Sequence, residues 1–202
     1  MALIVEPLKS ELGTVKESLA QVQNELKQVM DKNDDLEQYS RRSCLRISGI
    51  PENSDEDVTK IILDLSWRVN AEIVPQDIDR AHRVGKVRNL DPTSTSRSRQ
   101  FQTSREIIVK FCNSAARLKL LKGRAVLREQ KAKIYVNEDL TQKRKNLAYE
   151  CRRLKKLKHI NKTWVYNGNV FVQDNSGAKK QIMCIDDLDG YRLNRNEQSV
   201  RR

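Results

Sequence analysis

The sequence predicts an α+β protein built from three parts in series. Residues 1–40 carry a heptad repeat of apolar residues, which is typical of a coiled-coil helix. Residues 41–138 alternate between strand and helix patterns in the order β-α-β-β-α-β. Residues 139–192 combine a basic helix with an Asn-Gly hairpin motif, which predicts a small helix plus a three-stranded meander.

The N-terminal part places apolar side chains alternately three and four positions apart, with nine of ten such positions apolar. Leucines fall mainly at a and valines at d, and a β-branched residue at d favours three or four strands, so a trimer is favoured over a dimer. Pro7 predicts that the ordered coil begins there. A single helix folded back on the body is the alternative. The expected oligomerisation residues are Leu12, Val15, Leu19, Val22, Leu26, Val29, Asn33 and Leu36.

The middle part predicts four strands and two helices. The strands are expected at residues 44–51, 78–84, 107–111 and 133–137, where apolar and polar residues alternate. The first helix should follow a capping box at 54–57, and the second should run from a cap at Asn113 to a stop at Gly123. Residues 85–104 are polar and lack periodicity, which predicts a long mobile loop.

This order of elements is that of the ferredoxin-like fold, which RNA-recognition domains share with many enzymes. Phe111 is the only aromatic residue of the third strand and the first strand has none, so base stacking on this sheet should be poor. Cationic residues are frequent instead and predict phosphate contacts with little sequence preference. Those on or beside the central strands are Arg41, Arg42, Arg46, Arg80, Arg83, Arg105 and Lys110.

The charge distribution points to a polyanionic partner. The net charge is +12, but residues 1–40 carry four basic and eight acidic residues, which leaves +16 on the rest. The four cysteines lie in apolar stretches without a metal-binding spacing, so we expect buried free thiols, no metal and a reducing, intracellular setting. We find no apolar run long enough for a membrane span and no signal-peptide pattern, so a soluble protein without a membrane partner is expected.

The C-terminal part begins with a helix that Thr141 can cap and that should run to about residue 158. Its basic residues Lys143, Arg144 and Lys145 are candidate phosphate contacts. Asn167-Gly168 predicts a type I′ turn between two strands, and a third strand is expected at 181–185. The aromatic residues Trp164, Tyr166 and Phe171 either stack on bases or pack under the helix. Residues 193–202 should be a disordered basic tail.

Five short motifs, in order, resemble the first-open-reading-frame protein of LINE-type retrotransposons. They are LEQYSRR at 36–42, CLRISGIPE at 44–52, AHRVG at 81–85, REIIVKF at 105–111 and NEDL at 137–140. The resemblance implies a trimer that coats element RNA and acts as a nucleic-acid chaperone in a cytoplasmic ribonucleoprotein, with nuclear import left open. It implies RNA contacts at Arg41, Arg42, Arg46, the Arg144 region and Tyr166.

The sequence thus predicts a non-enzymatic, oligomeric protein that binds single-stranded RNA, or single-stranded DNA, without a cofactor. The residues expected to bind nucleic acid are Arg41, Arg42, Arg46, Arg80, Arg83, Lys110, Lys143, Arg144, Lys145 and Tyr166. The alternative is a coiled-coil adaptor whose basic body binds acidic proteins. Replacing Arg46 or Arg144 by Ala should weaken binding and leave thermal stability nearly unchanged, because exposed charges contribute little to folding.

Overall fold

The structure is a computed structural model that describes residues 2–53, 55–86 and 104–193. It divides into two compact units, Met1–Ser40 and Arg41–Arg202. The first unit is helical, and the second contains a four-stranded antiparallel sheet, a three-stranded sheet and their helices. The mixed α+β class is confirmed. The domain boundary near residue 138 stays a prediction.

Helix α1 spans Ala2–Arg41. It begins five residues before Pro7, so the predicted start at Pro7 is wrong for the helix. Every apolar seam residue from Leu12 to Leu36 is more than half exposed, between 54% and 69%. Asn33 is exposed as well. The predicted helix is confirmed, and it presents a continuous apolar stripe.

The four-stranded sheet contains β1 (Cys44–Ser48), β2 (Ile78–Arg83), β3 (Ile107–Phe111) and β4 (Tyr135–Glu138). Helix α2 (Val58–Arg68) joins β1 to β2, and α3 (Ser114–Glu129) joins β3 to β4. The strand order is β2-β3-β1-β4, with every neighbouring pair antiparallel. All four predicted strands and both helices are therefore present.

The two helices cover one face of this sheet. Alternate residues of β1 and β3 are buried, and they pack into one core with apolar residues of α2 and α3. The intervening residues of each strand then lie on the opposite, open face, because strand side chains alternate between faces. The core residues from the two central strands are Leu45, Ile47, Ile107, Val109 and Phe111.

The ends of both helices differ from the sequence prediction. Asp57 caps α2 by accepting hydrogen bonds from the backbone N–H groups of Thr59 (2.9 Å) and Lys60 (3.1 Å), whereas the predicted box began at Ser54, outside the described residues. The predicted cap of α3 at Asn113 is confirmed.

Gly123 does not end α3, which continues to Glu129. A Cβ at this glycine would lie 2.5 Å from Cγ2 of Val69, which shows that the missing side chain lets α3 approach the end of α2. The glycine signals close packing between helices rather than a helix stop.

The second sheet contains β5 (Lys162–Tyr166), β6 (Asn169–Gln173) and β7 (Lys179–Ile182) in that order. Helix α4 (Gln142–Lys156) packs on one face of it. Asn167 (φ 49°) and Gly168 (φ 78°) both have positive φ, which confirms the predicted type I′ turn. The third strand lies two residues earlier than predicted, and a 3-10 turn (Asp186–Leu188) and a short helix, α5 (Asp189–Leu193), were not predicted.

Leu193 belongs to α5, and the rest of the predicted tail, 194–202, lies outside the described residues, as do residues 87–103 of the predicted loop. All four cysteines are free thiols. Cys151 is buried, and burial raises its pKa to about 11. The expectation of burial is wrong for Cys112, which is exposed because it follows the last residue of β3 and leaves the alternation of the sheet, and Cys44 and Cys184 are only partly buried. In the described ranges, no helix combines the length and hydropathy of a membrane span.

Candidate nucleic-acid interface

The open face of the four-stranded sheet carries cationic residues on three neighbouring strands. Arg80 of β2 lies opposite Lys110 of β3 in the register. Arg46 of β1 lies on the same face, opposite Ile108 of β3 and Asn137 of β4. Neighbouring strands are about 4.8 Å apart, so these side chains form one basic surface.

Arg80 and Lys110 are accessible at one end of this face. Arg80 is exposed, and the Lys110 side chain is 44% exposed. The Lys110 Nζ lies 2.8 Å from the Asp79 carboxylate, and its hydrogen bond lowers the pKa of Asp79. An ion pair this exposed is weak because water screens it, so a phosphate can displace the carboxylate at little cost.

A second basic cluster surrounds the buried carboxylate of Asp139, just after β4. Arg46 donates to Asp139 Oδ1 from Nε (2.9 Å), and Arg41 donates to Oδ2 (2.8 Å). Another nitrogen of the same guanidinium, Arg46 Nη1, donates to Glu106 (2.8 Å). Lys145 lies nearby, and its pKa is lowered by burial and by the charge of Arg46. Asp139 therefore orients two guanidinium groups within a cluster of three cations, the Asp139 cluster.

Arg46 is less exposed than the sequence analysis assumed, with 14% of its side chain accessible. Removing it would leave the buried Asp139 carboxylate with one fewer hydrogen-bond donor, which costs free energy of unfolding. The expectation that Arg46→Ala leaves stability nearly unchanged assumed an exposed side chain, and that assumption is wrong. The acidic partners are 60 and 93 residues away in sequence, so no local pattern predicts them.

Arg83 lies inside the protein rather than on the open face. Its side chain is 4% exposed, and its guanidinium donates to both carboxylate oxygens of Glu56 at 2.6 and 2.8 Å. It also donates to the backbone oxygens of Ile50 (2.8 Å), Pro51 (2.8 Å) and Arg105 (2.7 Å). With its donors occupied and its surface covered, Arg83 is part of the fold, and we leave it out of the interface.

Arg105 is similarly engaged, since its guanidinium forms an ion pair with Glu52 and donates to the backbone oxygen of Gly85 (2.9 Å). Together with Arg83, it ties the segments that flank β1, β2 and β3. Arg42, by contrast, is exposed just before β1.

Arg144 of α4 lies beside the Asn167-Gly168 turn. Glu138 accepts hydrogen bonds from the backbone N–H groups of Asn167 (3.2 Å) and Gly168 (2.7 Å), and its carboxylate pairs with Arg117 (3.2 Å). Arg144 donates to the backbone oxygen of Gly168 (3.2 Å). Arg144 is thus half-buried and braces the turn, so the assumption that it is exposed is also wrong.

The accessible aromatic residues are not those that the sequence analysis considered for the first sheet. Phe111 is 2% exposed in the core and offers no face to a base. Tyr135 lies on the open face, opposite Ser48, and is 61% exposed. The alternation around buried Val136 predicts this exposed position for Tyr135. Tyr166 is also 61% exposed, and Lys143 is exposed on α4.

The structure thus brings Arg41, Arg46 and Lys145 together, and places Arg80 beside Lys110. Among the described residues, no group of three or more His, Cys, Asp or Glu side chains is arranged to hold a metal ion. A comparison with protein-family models gave no match. A search of curated proteins gave none either, so the family resemblance stays a prediction from sequence motifs.

Proposed function

We propose that the chain is an oligomeric, non-catalytic protein that binds single-stranded RNA through the open face of a ferredoxin-like, RNA-recognition-type sheet. The observation that carries the proposal is the group of cations on the open face, where Arg80 lies opposite Lys110 and Arg46 lies two residues further along, opposite Ile108. The strand order β2-β3-β1-β4, with a helix in each crossover, supports the ferredoxin-like assignment.

The chemistry of the surface favours contacts to phosphate. Its accessible cations are Arg80 and Lys110, and Phe111 is buried. Phosphate contacts carry no sequence information, so binding by this face should be weakly selective and strongly salt-dependent. The same contacts accommodate single-stranded DNA.

Assembly is the second part of the proposal. The exposed seam of α1 is an apolar stripe of the kind that other copies of the same helix cover in a coiled coil. We propose a homotrimer, on the basis of the Leu-at-a and Val-at-d pattern, which gathers several basic bodies on one RNA. With the sequence motifs, this supports a LINE-type first-open-reading-frame protein that coats RNA in a cytoplasmic ribonucleoprotein and acts as a chaperone.

The test compares two variants, one that loses two charges on the open face and one that loses two charges on the opposite side of the sheet. The variant Arg80→Gln with Lys110→Gln changes neighbouring strands, and the control Lys60→Gln with Lys119→Gln makes the same charge change on α2 and α3. Binding to a 20-nucleotide oligouridine is measured by fluorescence anisotropy across a salt series. Each lost phosphate contact should reduce the log–log salt slope by about 0.7.

We expect the open-face variant to lower the slope by about 1.4 while the control stays close to the wild type. Equal slopes for the two variants would show that only the net charge matters and that the open face is not the binding surface. Absence of saturable binding by the wild-type chain would refute RNA binding itself.

A further inference from the structure

The face of the second sheet that points away from α4 carries a pair of stacked aromatic rings. Trp164 of β5 lies directly opposite Phe171 of β6. Their ring centroids are 5.7 Å apart and their planes are inclined by 10°. The two rings stack on each other, and this pair is called the Trp164–Phe171 platform.

The platform is separate from the hydrophobic core of this module. That core takes Val170 and Val172 from β6, and Val165 of β5 packs against it. Strand alternation places Trp164 and Phe171 on the other face, where both remain partly exposed. The alternative that these residues pack under the helix is therefore wrong for both.

Polar and cationic residues border the platform on the same face. The neighbouring row of the sheet contains Lys162, Gln173 and Lys179, which lie opposite one another in the register, and both lysines are exposed. The row on the other side contains Tyr166, next to the turn. The lysine row lies two residues along the strands from the aromatic pair, a backbone rise of about 6.8 Å.

We infer that this face is a second nucleic-acid site, on which an unpaired base stacks on the Trp164–Phe171 platform while its phosphates face Lys162 and Lys179. The inference rests on the proposed function and deepens it. A nucleotide combines a flat ring with a negative charge, and both groups are matched here. The lysines repel the cationic ligands that aromatic surfaces also attract.

The platform adds two aromatic rings to the single accessible one that the described residues place on the open face of the four-stranded sheet, Tyr135. Phosphate contacts alone accept single and double strands, whereas stacking on a protein ring requires a base that has left its own stack. The platform therefore gives the chain its preference for single strands.

The direct test uses Trp164 as a reporter. The chain contains two tryptophans, and the other, Trp67, is 77% exposed on α2, so Trp67→Phe leaves Trp164 as the only indole. This full-length variant is titrated with a 12-nucleotide oligouridine and with a 12-unit ribose-phosphate chain that lacks bases. Tryptophan emission and fluorescence anisotropy of end-labelled ligands are recorded together.

We expect both ligands to bind, with saturable quenching of Trp164 by oligouridine alone. Binding of both ligands without quenching by oligouridine, or with equal quenching, would overturn the platform and leave the proposed function standing. Binding of neither ligand would refute the proposed function and the platform with it.

Two substitutions extend the test to affinity. Phe171→Leu removes one ring of the platform, and Trp67→Leu is the control that removes an exposed ring elsewhere. Loss of one base–aromatic stack should weaken oligouridine binding about 5- to 150-fold and leave binding of the baseless chain unchanged. Equal weakening for both ligands, or an unchanged oligouridine affinity in a folded Phe171→Leu variant, would contradict the inference.

Discussion

Removing the carboxylate of Glu106 should strengthen RNA binding. Glu106 accepts a hydrogen bond from Arg46 Nη1 at 2.8 Å, and its side chain is 46% exposed. It therefore occupies the donor of Arg46 that Asp139 leaves available, and a phosphate has to compete with it. Glu106→Gln removes the negative charge but keeps the size of the side chain, while Asp139 continues to orient Arg46.

The size of this effect follows from the exposure of the pair. A partly exposed ion pair contributes about 0.2–1 kcal/mol, and this is the free energy that a phosphate no longer has to offset. The affinity should rise by about 1.4- to 5-fold at low salt, with little change in melting temperature. Higher salt should reduce the gain, because screening already weakens the carboxylate.

The assay is fluorescence anisotropy with a short oligouridine, which engages one body and excludes effects of assembly. Glu129→Gln is the matched control, since it makes the same charge change at the C-terminal end of α3, away from the Asp139 cluster. An equal gain in RNA affinity in both variants would show that the effect comes from net charge alone. Unchanged or weaker binding by Glu106→Gln in a normally folded chain would refute the view that RNA uses Arg46.

Three further substitutions test the fold and the assembly. Arg83→Met should lower the free energy of unfolding by about 3 kcal/mol or more, measured by urea denaturation, because it leaves a buried carboxylate unpaired. Gly123→Ala should cost about 1–2 kcal/mol, since the clash with Val69 outweighs the gain in helix propensity. Val69→Ala in the same chain should reduce that cost by removing the 2.5 Å contact with Cγ2, but not abolish it, because the Cβ of residue 69 stays 2.8 Å from the added methyl group. Leu19→Asp with Leu26→Asp should yield monomers by light scattering and weaken binding to a 60-nucleotide RNA by about 10²–10⁴, with binding to a 10-nucleotide RNA unchanged.

Each of these outcomes has a clear counterpart. Asn24→Asp with Gln28→Asp adds the same charges to α1 outside the seam and should leave assembly intact. A monomeric wild-type chain would contradict the coiled coil, and equal losses for long and short RNA would contradict the avidity argument. A stabilising Gly123→Ala substitution would show that α3 can shift away from Val69.

The elements of the fold were largely predictable, since alternation and helical spacing are local properties of the chain. The helix α1, the strands and the Asn167-Gly168 turn all follow from residues a few positions apart. The role of Gly123 was not predictable in this way, because it depends on Val69, which comes from another helix.

The candidate site was less predictable for the same reason. Residue types identified basic strands, but the structure is needed to show that Arg83 is enclosed by distant acceptors and that Arg46 shares Asp139 with Arg41. The sheet face on which some side chains lie was predictable, because the alternation that buries Val136 also exposes Tyr135. Whether the rings of the second sheet pack under α4 depends on which strand face that helix covers, which is a tertiary property.

The hydrogen bonds from the β5–β6 turn to Glu138 matter for protein engineering. Hairpin turns are usually the places where a chain accepts an inserted peptide or tag. Here both central N–H groups of the turn donate to one buried carboxylate, so any insertion between Asn167 and Gly168 would withdraw donors from a charge that has little access to water. The turn at Asp174–Ala178 is satisfied by its own side chains and backbone, and it is the better place for an epitope.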